Sequence, residues 1–118
     1  MIDVNLIVPP MVEDIIAVEP HFPDIVPSFP LGILTPLDGG ADTIISGEER
    51  LTTVRFQIDV YHTSRQLCEE YAVRISARLV KRGFMREGGQ ILKENGLHRH
   101  TLTFSGVVDE RTNYIFRR

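Results

Sequence analysis

Two histidines in the last third of the chain have a spacing that metal ligands sometimes use. His98 and His100 are separated by one residue, so in a strand both side chains would project from the same face. The sequence marks no third ligand near them, and Arg99 between them is more typical of a polar strand end. We therefore predict that the chain holds no metal ion and no other cofactor.

The remaining reactive side chains are poor candidates for catalysis. Cys68 is the only cysteine, lies at no recognisable catalytic spacing from a His or Asp, and fits the apolar stripe of a helix, which indicates a buried core thiol. Glu69 and Glu70 are adjacent and about 100° apart on a helix, so their carboxylates do not converge. The glycine pairs 39–40 and 88–89 lack the frame of a phosphate-binding loop. We predict no catalytic residue and therefore no enzyme.

A strand followed by a helix forms the centre of the predicted fold. Apolar and polar residues alternate over 54–60, which predicts a strand with one face on a core. Apolar residues then recur every three or four positions, which predicts a helix over about 64–82. Either Thr63 or Ser64 can cap its start, and Gly83 can end it. The apolar stripe of this helix comprises Leu67, Cys68, Tyr71, Ala72, Ile75 and Leu79.

The first fifty residues are rich in proline. A short helix is predicted over 11–19, where apolar residues at helical spacing follow one proline and precede another. Residues 21–30 contain three prolines and are predicted to cross the fold in an extended conformation. A strand is predicted over 31–35 and a turn over 36–40, whereas 42–51 fits either a hairpin arm or a mobile loop. The crossing would be anchored by Phe22, Ile25, Val26 and Phe29.

After the helix the sequence predicts more strands. A short strand over 84–87, a turn at Gly88-Gly89, and a long alternating strand over 98–108 precede a turn and a last strand over 114–116. The order lacks the βαβ repetition of a parallel sheet. We therefore predict an α+β fold: a mainly antiparallel sheet with one long central helix and a shorter N-terminal helix packed on it.

Length and the N-terminal sequence predict one domain and no membrane segment. The 118 residues can bury a core without metal or disulfide staples. The N-terminal helix and proline-rich crossing occupy 1–30, and the α+β core occupies 31–118 with a mobile loop or arm near 38–50. The first ten residues carry no basic region and only a short apolar run, which predicts neither a signal peptide nor a membrane span.

Charge is distributed unevenly along the chain. Residues 1–49 hold nine acidic residues and no Lys or Arg, whereas residues 50–118 hold 13 basic and 7 acidic residues, so the two parts carry −9 and +6. A nucleic-acid-binding domain usually concentrates a basic surface, and here an acidic half opposes it. This distribution favours self-association over DNA binding, although the two halves could also pair within one molecule.

The second half of the chain resembles a family of phage proteins. The resemblance rests on VRFQIDVYHTS (54–64), CEEYA (68–72) in a capped helix, LVKRGF (79–84), HRHTLTFSG (98–106) and YIFR (114–117). This succession is similar to the tail-terminator and tail-completion (head–tail joining) proteins of long-tailed bacteriophages. The match extends from about residue 51 to the C-terminus, over half of the chain.

The resemblance implies an architectural function in the virion. Proteins of this family form a ring, usually of six subunits, that caps the tail tube and meets the head connector or head-completion protein. DNA would pass through the lumen without specific binding, and the ring would be made and assembled in the host cytoplasm. Three alternatives stay open: another neck ring such as a head-completion or tail-tube protein, a ligand- or metal-binding module or small enzyme that uses His62, His98 or His100, and a nucleic-acid-binding domain.

Overall fold

The computed structural model describes residues 3–24, 28–37, 43–46, 49–94, 96–109 and 115–116. Within them the chain forms two helices, α1 (Val4–Val12) and α2 (Arg65–Lys81), and seven strands. The strands are β1 (Ala17–Glu19), β2 (Leu31–Pro36), β3 (Thr43–Ser46), β4 (Glu49–His62), β5 (Met85–Glu94), β6 (Leu97–Asp109) and β7 (Ile115–Phe116). No helix in this part of the chain is long and apolar enough to cross a membrane.

One mixed sheet carries both helices, which confirms the α+β class. Its strand order is β1-β2-β4-β6-β5, with β3 paired to β4 and β7 paired to β6. The β1–β2 pair is parallel, and the other pairs described are antiparallel. The description of one helix as long is not confirmed, since α1 has 9 residues and α2 has 17.

The core lies between the two helices and one face of the sheet, here called the helix face. The even-numbered residues of β4 and β6 point to this face, because each strand alternates its side chains. Phe56 is fully buried there, with its ring centroid 5.0 Å from that of Phe84 and 5.6 Å from that of Phe104. The other sheet face, here called the open face, carries the odd-numbered residues of β4 and β6.

Both ends of α2 are fixed by capping hydrogen bonds. Of the two possible caps, Ser64 is the one used, since its hydroxyl accepts the N–H of Leu67 at 3.3 Å. At the other end Gly83 has a φ of 111° and donates to Val80, and Phe84 donates to Leu79. This pair of bonds is a Schellman motif, and it confirms the predicted role of Gly83.

The predicted position of the N-terminal helix is wrong. The helix α1 occupies Val4–Val12 rather than 11–19, and residues Ala17–Glu19 form the edge strand β1 instead. Pro9 and Pro10 lie inside α1, where each removes a backbone donor. The cost is offset because a helix starting at residue 4 buries three valines, Val4, Val8 and Val12, and because Asp3 caps its first turn.

An ion pair joins the acidic half of the chain to the basic half. The guanidinium of Arg78 on α2 donates to both carboxylate oxygens of Asp14 at 2.7 and 2.8 Å, and also to the carbonyl of Met11 at 2.9 Å. These hydrogen bonds lower the pKa of Asp14 from 3.8 to about 2. Part of the charge asymmetry is therefore neutralised within one molecule.

The Asp14–Arg78 ion pair is expected to stabilise the folded protein by an amount that depends on pH. Because the pKa of Asp14 is lowered on folding, its contribution is present above pH 4 and is lost as the pH falls towards 2. Asp14→Asn should therefore lower the melting temperature at pH 6, and the difference from the wild type should shrink steadily below pH 4 as the pH approaches 2. Calorimetry from pH 2 to 7 measures this, and parallel wild-type and variant curves would contradict it.

The strand β5 differs from its prediction. It continues from Met85 to Glu94 through Gly88 and Gly89, which were predicted to form a turn. The register against β6 shifts between Arg86 and Gly88, so Glu87 is the extra residue of a β-bulge, and the two glycines continue the strand after it rather than reversing the chain. The reversal occurs after Glu94, where Gly96 has a φ of 78° and the chain enters β6.

The segment near 38–50 contains one arm of a hairpin. Thr43–Ser46 pairs with residues 49–52 of β4 in antiparallel register, which favours the hairpin arm over the loop. Leu31–Pro36 and Ile115–Phe116 correspond to the predicted strands at 31–35 and 114–116. The predicted anchors Ile25 and Val26 and most of the predicted turns at 36–40 and 109–113 lie outside the described residues.

Candidate assembly edges and the polar face of the sheet

The histidines and the cysteine lie together at one end of the helix face. His62 and His98 are directly opposite on β4 and β6, and His100 follows on the same side of β6. The thiol of Cys68 is fully buried and donates to the carbonyl of Val60 at 3.2 Å. Burial raises the pKa of this thiol, so Cys68 is a core side chain rather than a nucleophile.

These histidines and their described neighbours do not make up a set of metal ligands. The Nδ1 atom of His62 accepts the backbone N–H of Ser64 at 3.1 Å, and its ring stacks on Tyr71 with the centroids 6.1 Å apart. The Nδ1 atoms of His98 and His100 are buried without a hydrogen-bond partner, and burial lowers the pKa of His100. Among the residues described, no three His, Cys, Asp or Glu side chains could hold a metal ion together.

A buried carboxylate organises the open face of the sheet. Asp59 is one of the polar residues that alternate with the core residues of 54–60, yet its side chain is only 4% exposed. It accepts hydrogen bonds from Thr101 at 2.8 Å and from the amide of Gln57 at 3.1 Å, and it pairs with Arg99 at 3.2 Å. Sequence periodicity alone could not reveal this network, because its members come from two strands 40 residues apart.

The polar residues on this face do not converge on a reaction centre. A shallow groove of about 420 Å³ runs over β4, β6 and β5 between Arg55, Gln57, Gln90 and Thr103. Its charged residues are engaged with each other, since Arg55 donates to Glu87 at 2.9 Å. The described part of the groove therefore offers hydrogen-bonding groups without a nucleophile and base in contact.

The two edges of the sheet come from different halves of the chain. One flank, here called the acidic flank, comprises residues 3–19, which include α1 and β1, together with β2, and it carries four acidic residues and no Lys or Arg. The opposite flank, here called the β5 flank, comprises residues 81–94, which carry four basic and two acidic residues. The strand order separates these flanks by β4 and β6. The molecule thus has two unlike edges with opposite formal charge.

The β5 flank exposes both backbone and apolar side chains. Most of β5 is solvent-exposed, including Met85 at 48% and Leu92 at 41%. A ten-residue strand at a sheet edge can pair with a strand from another chain unless its sequence prevents this. The sequence did contain a signal for this edge: Asn95-Gly96 is a common two-residue hairpin turn, and it lies between two alternating segments.

The comparisons with known proteins do not identify a family for this chain. The sequence matches no protein-family model, and no curated protein matches it. The features of the described residues that bear on function are therefore the two unlike edges and the distribution of charge between them.

Proposed function

We propose that this protein is a tail terminator of a long-tailed bacteriophage or prophage. In this role it forms a homo-oligomeric ring, of six subunits by analogy with the family, that caps the tail tube. The ring meets the tail-tube protein on one side and the head connector or head-completion protein on the other. It is a virion protein of the tail and neck, assembled in the host cytoplasm, and DNA passes through its lumen.

The observation that carries this proposal is the presence of two unlike edges on opposite flanks of one sheet. A closed ring needs a heterologous contact, in which two different patches meet head to tail. The acidic flank and the β5 flank are two such patches, since they differ in formal charge and in the strands that they expose.

Charge can guide this contact but cannot hold it alone. An exposed ion pair contributes about 0–1 kcal/mol and is screened by salt. Apolar contact must supply the rest, and the β5 flank exposes Met85 and Leu92 for this purpose. We therefore expect a ring whose assembly is faster at low salt and which persists at high salt.

The test measures the mass of the protein in solution and its binding to isolated tails. Sedimentation velocity at low and high salt, followed by electron microscopy, should show rings that also bind the open end of isolated tails. The double charge reversal Glu13→Lys with Glu19→Lys, both exposed on the acidic flank, should slow assembly at low salt. The matched reversal Glu69→Lys with Glu70→Lys, exposed on α2, changes the net charge equally and should have less effect.

Two results would contradict the proposal. A monomer at every salt and protein concentration, with no assembly on isolated tails, would exclude the ring. A ring that binds heads but not tails would instead identify another neck component.

A further inference from the structure

The edge of β5 presents backbone groups at defined positions. Two residues separate the paired Glu94 and Leu97, so this closing pair exchanges both of its hydrogen bonds. Because narrow and wide pairs alternate in an antiparallel ladder, Leu92 directs its N–H and C=O towards β6. Ile91 and Lys93 therefore direct theirs outwards, away from the sheet.

The strand β3 has the same arrangement on the opposite side of the sheet. Two residues separate its paired Ser46 from Glu49, so Ile44 bonds to β4 whereas Thr43 and Ile45 direct their backbone groups outwards. The sequence of β3 contains neither a charge nor a proline, the two features that most often protect an edge strand. It adjoins β4 on the side that also bears β2, away from β6 and β5.

We propose that β3 of one copy adds, as an antiparallel strand, to the outer edge of β5 in the next copy, where no strand of the described residues pairs. This inference rests on the proposed ring and names its contact. In the register that sets Ile45 opposite Ile91 and Thr43 opposite Lys93, the outward groups of both strands meet, and each pair exchanges two hydrogen bonds. The same register places Leu92, which is 41% exposed, opposite the apolar residue Ile44.

The geometry makes this contact heterologous. Each copy contributes a β3 edge to one neighbour and a β5 edge to the other, so every copy in a closed ring satisfies both edges. The sheet then continues from subunit to subunit. A copy that has lost one edge can still make a single contact through the other, and this property gives the test.

Two proline substitutions remove one outward N–H each. Ile91→Pro acts on the β5 edge and Ile45→Pro on the β3 edge, and neither removes a hydrogen bond of the subunit's own ladder. Each variant alone should sediment as a monomer under conditions in which the wild type forms rings. Ile91→Val and Ile45→Val keep the N–H and should assemble as the wild type does.

Mixing the two proline variants tests the pairing directly. An equimolar mixture should form dimers and nothing larger, because an intact β3 edge meets an intact β5 edge only once. Rings formed by either proline variant would overturn the strand pairing and leave the proposed function standing. Filaments or rings that are sensitive to both prolines but do not bind tails would support the pairing and contradict the proposed function. A monomeric wild type would contradict both.

A second variant guards against loss of folding. Circular dichroism and thermal unfolding should show that each proline variant keeps the fold.

If Ile91→Pro unfolds, Leu92→Lys replaces it in the test, because Leu92 is already exposed and the change adds a charge opposite Ile44. Assembly of Leu92→Lys at least ten times weaker than that of the wild type is expected, and equal assembly would overturn the pairing. Leu6→Lys, at a position 73% exposed on α1, is the matched control and should assemble normally.

Discussion

Ile75→Asp is expected to abolish folding. Ile75 is fully buried in the middle of the buried stripe of α2, between Ala72 and Leu79. An aspartate there would place a carboxylate among apolar side chains without a partner, and it would also remove a buried side chain worth about 1.5–3 kcal/mol. A small domain has about 5–15 kcal/mol of stability in total, so the combined loss leaves little or none of it.

A control on the same helix separates burial from helix propensity. Val73 is also β-branched but is 63% exposed, so Val73→Asp should change the free energy of unfolding by no more than about 0.5 kcal/mol. Ile75→Val should cost about 0.5–1.5 kcal/mol, because it removes one methylene from the core. Urea denaturation followed by circular dichroism measures all three variants. Equal midpoints for Ile75→Asp and Val73→Asp would show that α2 does not pack as described.

The central strand and helix were predictable because several independent signals agree there. The apolar residues of β4 follow a period of two and those of α2 a period near 3.6, and Ser64 and Gly83 mark the ends of the helix. Where local propensity, periodicity and capping all indicate the same element, tertiary packing usually preserves that element.

The N-terminal helix was misplaced because local rules there conflict with packing. Proline favours the start of a helix, so Pro10 predicted a helix that begins after it. In the structure the helix extends across Pro9 and Pro10, because Val4, Val8 and Val12 lie on one stripe and all three reach the core. A residue's burial depends on the position of the sheet, which local sequence does not specify.

The candidate contact surfaces could be predicted only in part. The opposite charges of the two halves are visible in the sequence, but their separation onto two flanks depends on the strand order. Ile91 and Lys93 direct their backbone groups outwards because of the register between β5 and β6. That register is known only once the two strands are seen to pair. The burial of Asp59 likewise requires Arg99 and Thr101 from another strand.

Gly89→Ala is expected to destabilise the protein, although alanine is the smallest possible change. A Cβ atom at Gly89 would lie 2.7 Å from the backbone oxygen of Thr101 and 2.8 Å from Nη2 of Arg86. The arginine can move, whereas the carbonyl belongs to β6 and is held in the sheet. Forcing this approach should cost about 1–3 kcal/mol in strain and displacement of the strand.

Gly88→Ala is the matched control, and it should act in the opposite direction. A Cβ atom at Gly88 meets nothing within 4 Å, and neither glycine has a positive φ. The two substitutions restrict the unfolded chain equally, which by itself stabilises a protein by about 0.4–1 kcal/mol. Gly88→Ala should therefore raise the urea midpoint slightly while Gly89→Ala lowers it. Because both residues lie side by side in β5 just after the bulge, equal midpoints would mean that β5 does not approach β6 there, and that the segment is the turn predicted at Gly88-Gly89.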